Sequence, residues 1–140
     1  MNTSIIVKTE TELANLAKTI SPLCTEQFSI ALHGNLGAGK TTFVKYLGKL
    51  WGIEDVKSPS FGIIDIHQGI KTLIHMDAYR LKNGNLNTFD LDDLCTPPYC
   101  LIVEWPECLQ KTFPFDLHLY FAILPDGTRE IRICKENSYK

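Results

Sequence analysis

The chain has 140 residues, 44% of them hydrophobic and 21% charged, which is the size and composition of one globular domain, 1–140, around one core. Its net charge is −2, and its 14 Lys and Arg are scattered, with arginine only at Arg80, Arg129 and Arg132. That balance argues against a protein that grips RNA or DNA by itself, since phosphate contacts need a basic excess or stripe. A partner could still present the nucleic acid.

Ser4 to Val7 is a short β-prone run that reads as an edge strand. Thr9 and Glu12 then have capping-box spacing, and Leu13, Leu16, Ala17 and Ile20 follow at helical intervals. A helix with one face on the core is predicted there, stopping near Ser21-Pro22. Phe28 to His33 is a short, mostly apolar run that ends at Gly34. After Lys40 the period is helical again. Phe43, Leu47, Leu50 and Trp51 share a face, Lys45 and Lys49 point elsewhere, and Gly52 closes the segment.

Past the turn at Ser58-Pro59, Phe61 to His67 and Lys71 to Met76 flank Gln68-Gly69 and predict a hairpin. Asn83-Gly84-Asn85 reads as a loop and Thr88 to Leu94 as a short acidic helix. Tyr99 to Val103 is a continuous apolar run fenced by Pro97-Pro98 and Pro106, the pattern of a parallel-sheet strand buried on both faces. Leu117 to Leu124 and Arg129 to Cys134 flank Pro125-Asp126-Gly127 as a second hairpin. The expected fold class is α/β and P-loop NTPase-like: a mainly parallel central sheet, antiparallel hairpin additions and flanking helices.

The five cysteines, Cys24, Cys95, Cys100, Cys108 and Cys134, form no C-x-x-C, and no His pair completes a zinc spacing. They read as reduced thiols, partly buried as small hydrophobes. No apolar run approaches the ~18 residues of a membrane span, and the N-terminus lacks a signal-peptide pattern. The chain is expected in the cytoplasm, without membrane contact.

Gly34-Asn35-Leu36-Gly37-Ala38-Gly39-Lys40-Thr41 is a complete phosphate-binding loop between the predicted strand and helix. Glycines at 34, 37 and 39 permit turns in which successive backbone N–H groups converge on phosphate oxygens. The helix starting near Lys40 adds the positive end of its dipole. On this reading Lys40 reaches the β- and γ-phosphates of ATP, and the Thr41 hydroxyl ligates magnesium. Such a site also needs a carboxylate on a neighbouring strand. Glu104 ends the apolar run 100–103, as the acidic residue of a Walker-B strand does, and would otherwise be a surface charge at a strand end. Asp77 ends the run 73–76 and is a second candidate of the same kind. His33, His67, His75 and His118 have no ligand spacing, and His75 stands apart only by lying two residues from Asp77. Trp105 is open between packing and contact with the nucleotide or a partner.

These motifs together resemble the TsaE family, the ATPase component of the bacterial tRNA threonylcarbamoyladenosine machinery. The likeness rests on the loop with Thr42 and Phe43 after it, on Ser58-Pro59-Ser60-Phe61, on His75-Met76-Asp77-Ala78-Tyr79-Arg80-Leu81, and on Glu104-Trp105-Pro106-Glu107, in the family's order. The resemblance implies that Thr41 and Glu104 are magnesium ligands and that Asp77 is an essential carboxylate near the metal and γ-phosphate. It implies that Ser60 stands where the family has a switch-like threonine, and that Thr9 to Thr11 lies beside the adenine. It also implies partners, TsaB and TsaD, with tRNA met only through that complex. Asn35 replaces the usual Asp of the loop, and Ser60 replaces Thr; neither change removes a group the chemistry needs. No N-K-x-D motif for guanine is present, so preference for adenine rests on the resemblance.

ATP hydrolysis coupled to a partner complex is the leading expectation, weak alone and partner-dependent. Lys40, Asp77 and Glu104 are its catalytic candidates. Gly34, Asn35, Leu36, Gly37, Ala38, Gly39, Thr41, Thr42, Ser60, Thr9 and Thr11 are its nucleotide-binding ones. A small-molecule kinase shares the loop, but no Arg-rich stretch follows that could close over an acceptor. A nucleotide-responsive binding module without meaningful turnover is the other alternative.

Overall fold

The computed structural model describes residues 2–35, 37–56, 64–81, 96–108 and 114–135. In chain order the elements are β1 (Asn2–Val7), α1 (Glu10–Ile20), β2 (Gln27–His33), α2 (Lys40–Leu50), β3 (Ile64–His67), β4 (Thr72–Asp77), β5 (Tyr99–Glu104), β6 (Leu117–Ile123) and β7 (Arg129–Lys135). The strands form one sheet in the order β1-β7-β6-β2-β5-β4-β3. At its centre β4, β5, β2 and β6 are parallel, with β5 between β4 and β2. On the flanks β3 pairs antiparallel with β4, and β7 with both β6 and β1. Both predicted hairpins are present, and β1 is an edge strand as its short run suggests. The predicted loop at 83–85, the helix at 88–94 and residues 61–63 of the first hairpin lie outside the described residues.

Burial follows the sequence pattern. The apolar run of β5 is buried along Cys100–Glu104, because strands on both sides and side-chain clusters on both faces cover it. The larger cluster joins Leu13, Leu16, Ala17 and Ile20 of α1 to Phe43, Val44 and Leu47 of α2 and to Ile30, Leu32, Leu73 and Ile102 of the sheet. Both helices therefore lie on one face of the sheet and pack on each other. Ala31, Ile74, Met76, Leu101, Val103 and Phe115 form a second cluster on the opposite face. Cys24 and Cys100 are buried in the first.

Leu50 departs from expectation. It is 37% exposed, while Val44 and Gly48 are buried instead. The buried stripe of α2 is turned toward Gly48, where a Cβ would meet Val56 Cγ2 at 2.7 Å and Leu73 Cδ2 at 3.6 Å. That close approach pulls the helix onto its Val44 and Gly48 side and leaves Leu50 at the margin. The carbonyl of Trp51, just past the helix, accepts from Ile70 N at 2.8 Å and ties α2 to the β3–β4 turn.

α1 is closed at its start by a full capping box. The Thr9 hydroxyl accepts from Glu12 N at 3.2 Å, and the Glu12 carboxylate accepts from Thr9 N at 3.1 Å and Lys8 N at 2.8 Å. Thr9→Ala should lower stability by about 1 kcal/mol, read as a fall in the urea midpoint with unchanged slope, while Thr9→Ser keeps most of it.

Candidate active site at the glycine-rich loop

β2 ends at His33 and the chain enters the loop at Gly34, pressed against β6. A Cβ at Gly34 would lie 2.5 Å from the Phe121 carbonyl oxygen, so no larger residue fits without moving the strand. Gly37 and Gly39 have φ of 82° and 105°, the left-handed turns that the sequence pattern requires. Gly39 is the N-cap of α2 and supplies no side-chain cap, and the first turn carries no acid. α1 fills its own terminal N–H groups, with Glu10 and Glu12 in its first turn. The start of α2, by contrast, has a positive dipole end with neither a side-chain cap nor an acid of its own first turn.

Lys40 opens that helix and is only 4% exposed. Its Nζ donates to the Gly34 carbonyl and stands 4.3 Å from the centroid of the Trp105 ring. Burial pushes its pKa below the ordinary lysine value of 10.5, against the opposing pull of Glu104, Asp77 and Glu107.

The carboxylates arrive by strand register. Leu32 of β2 pairs with Glu104 of β5, which pairs with Asp77 of β4, so three parallel strands end at one level. Glu104 is 8% exposed, and its Oε2 accepts from the Thr41 hydroxyl at 3.3 Å. The same oxygen is 2.6 Å from His75 Nε2. Asp77 Oδ1 accepts from Tyr79 N at 3.0 Å, closing a turn at the end of β4. Trp105 has φ of 58°, a left-handed conformation costly for a bulky residue and typical of functional sites. That turn carries the ring from the strand end to Lys40, with the Tyr79 ring 5.1 Å away.

Beside the loop a cleft is lined by Val7, Leu13 and Ile131, by Lys8, Thr9, Glu10 and Arg129, and by Ala38, Gly39 and Thr42. Arg129 Nη2 donates to the Gly37 carbonyl at 3.0 Å. The structure thus gathers Gly34, Gly37, Ala38, Gly39, Lys40, Thr41, Thr42, Thr9, Asp77 and Glu104 around one loop. Asn35 is exposed, and its carbonyl accepts from Ala38 N at 3.2 Å. Thr11 is exposed on α1 and does not line the cleft. Leu36, Ser60 and the Arg80 side chain lie outside the described residues. Sequence reasoning missed Lys8 and Arg129, while Glu10 falls within the Thr9 to Thr11 segment that the resemblance places beside the adenine. Arg129 is 92 positions from Gly37, and only its rarity as one of three arginines marked it.

Fold and site define a mixed α/β protein, a seven-stranded sheet with two helices among the described residues, whose glycine-rich loop meets a buried lysine and a strand-end carboxylate. Residues 7–133 match the family model described as threonylcarbamoyl adenosine biosynthesis protein TsaE, and the chain belongs to that family. The tRNA threonylcarbamoyladenosine biosynthesis protein TsaE of Aquifex aeolicus (strain VF5) is 34% identical over 136 residues, 94% of this chain and 96% of that protein. The protein of the same description from Treponema pallidum (strain Nichols) is 32% identical over 126 residues, 87% of this chain and 93% of its own. In three dimensions the chain is similar to the crystal structure of YdiB from Bacillus subtilis. The TM-score is 0.75 at 26% identity, over 99% of this chain and 89% of that one. Among the described residues no helix is long and apolar enough to cross a membrane.

The depressed pKa of Lys40 has a signed consequence. Between its folded value and 10.5 the unfolded chain binds more protons, so the destabilising burial of the ammonium is full below that window and is relieved as pH rises through it. In denaturant titrations from pH 7 to 10, the stability of wild type relative to Lys40→Met should therefore rise with pH.

Proposed function

We propose that this chain is a P-loop NTPase that hydrolyses ATP with magnesium in the cytoplasm, within the pathway that makes threonylcarbamoyladenosine in tRNA. The observation that carries this reading is the buried Lys40 at the uncapped start of α2, with the Thr41 hydroxyl 3.3 Å from the Glu104 carboxylate on the adjacent strand. A helix start without a side-chain cap, a lysine and a hydroxyl–carboxylate pair are the parts that phosphoryl transfer to water requires.

The residues fit a hard divalent cation. Thr41 and Glu104 offer oxygen donors only, Asp77 stands level with Glu104, and a magnesium ion completes its shell with water and phosphate oxygens rather than with an all-protein cage. When bound, magnesium withdraws negative charge from the phosphate oxygens. The rest belongs to the chain. The loop amides and the α2 terminus bind the phosphates, and Lys40 exchanges the Gly34 carbonyl for phosphate oxygens. Thr41 and Glu104 would hold the metal, with Asp77 beside the γ-phosphate. Trp105 shields the lysine from water on one side. The cleft with Thr9, Val7 and Ile131 has the apolar lining and polar edge suited to a purine base. By the family resemblance the partners are TsaB and TsaD, which bring the tRNA. The net charge of −2 agrees with a chain that does not hold tRNA alone.

Hydrolysis of ATP by the purified chain, alone and with the TsaB–TsaD pair, tests the reading. A low basal rate that rises with the pair is expected. ATP binding without turnover in either case would replace the ATPase by a nucleotide-responsive binding module. Lys40→Ala should abolish ATP binding in a calorimetric titration, and unchanged affinity would sink the loop's role. Glu104→Ala should cut magnesium-dependent turnover by about 100-fold or more.

A further inference from the structure

We propose that His75 is a positioning residue that holds the Glu104 carboxylate in its metal-binding orientation; this rests on the magnesium reading above. His75 lies on β4 and is 0% exposed. Its backbone pairs with Ile102, two residues before the Asp77–Glu104 pair, so its ring is on the same sheet face as theirs. From there Nε2 reaches Glu104 Oε2 at 2.6 Å, the shortest hydrogen bond to that carboxylate among the described residues.

The other ring nitrogen decides what this contact is for. Nδ1 is buried and has no hydrogen-bond partner among the described residues. Among the described residues the imidazole ties no backbone group and caps no turn, and its one hydrogen bond is to Glu104. Burying a polar ring costs free energy unless hydrogen bonds offset it, so an apolar residue would suit the position better if packing were all it did. The tautomer follows as well. A proton on Nε2 points at the carboxylate, whereas a lone pair there would face another lone pair at 2.6 Å.

The consequence reaches the Thr41–Glu104 pair. A glutamate side chain at a strand end has several rotamers, and freezing them on binding a cation opposes that binding. His75 and Thr41 both engage Oε2, so the carboxylate plane is set before any cation arrives. Hydrogen bonds that orient a ligating carboxylate in this way change metal affinity by about 10- to 100-fold when lost.

The test compares wild type, His75→Leu and His75→Gln. ADP is titrated in EDTA and then in magnesium, and hydrolysis is followed against magnesium concentration. His75→Leu should bind ADP in EDTA as wild type does. It should lose about 10- to 100-fold of the magnesium-dependent gain and need correspondingly more magnesium for half-maximal turnover. His75→Gln, whose amide donates at nearly the same reach, should recover most of the gain. Should His75→Leu fail to fold, His75→Asn carries the same expectation, since its shorter amide stops short of Glu104. A wild type whose ADP affinity ignores magnesium would overturn the magnesium reading itself. A responsive wild type with an equally responsive His75→Leu, or a folded His75→Gln no better than His75→Leu, would overturn the positioning role alone.

Discussion

The site depends on one alignment: β2, β5 and β4 run parallel and finish at the same level. Because side chains alternate faces along a strand, that register decides which groups meet. It puts Glu104 on the helix side, beside Thr41 of α2 and above His75 of β4. A slip of one residue in β5 would present Val103 there and turn the carboxylate into the apolar cluster on the opposite face. The unbroken apolar run of β5, covered on both faces, is what makes such a slip expensive.

Around that alignment, opposite charges are brought together with little water to screen them. Lys40 and Glu104 are both nearly buried, and among the described residues each is held by neighbours: the Gly34 carbonyl and the Trp105 face for the ammonium, the Thr41 hydroxyl and the His75 ring for the carboxylate. Burial lowers the lysine pKa while the nearby carboxylates raise it. A cluster balanced in this way is costly to the folded protein. The left-handed Trp105 is a second cost at the same place. Strain and desolvation gathered in one corner of an otherwise regular sheet are what separate this corner from the hairpins on either flank.

Much of this was legible in the sequence wherever the information is local. The spacing of Thr9 and Glu12 wrote the capping box, the glycines wrote the loop turns, and the apolar run before Glu104 wrote a doubly covered strand. The family resemblance came from the same short motifs and stands on the match over residues 7–133. What could not be read was long-range. Nothing near Arg129 points to Gly37, and nothing near His75 says that its ring meets Glu104, since both contacts arise from strand order. Leu50 was misplaced for a related reason: helical periodicity defines a stripe, but the neighbours of Gly48 decide its centre.

The loop also leans on β6 and β7. Phe121 of β6 backs Gly34, Arg129 at the start of β7 holds the Gly37 carbonyl, and Ile131 of β7 lines the adjoining cleft. During synthesis residues 34–41 emerge long before these supports. A nascent chain ending ahead of β6 carries every glycine of the motif with no wall to set them against, and β2 lacks one of its two neighbours. The segment most easily recognised in the sequence thus acquires its shape late, and completion of the pocket waits for β6 and β7.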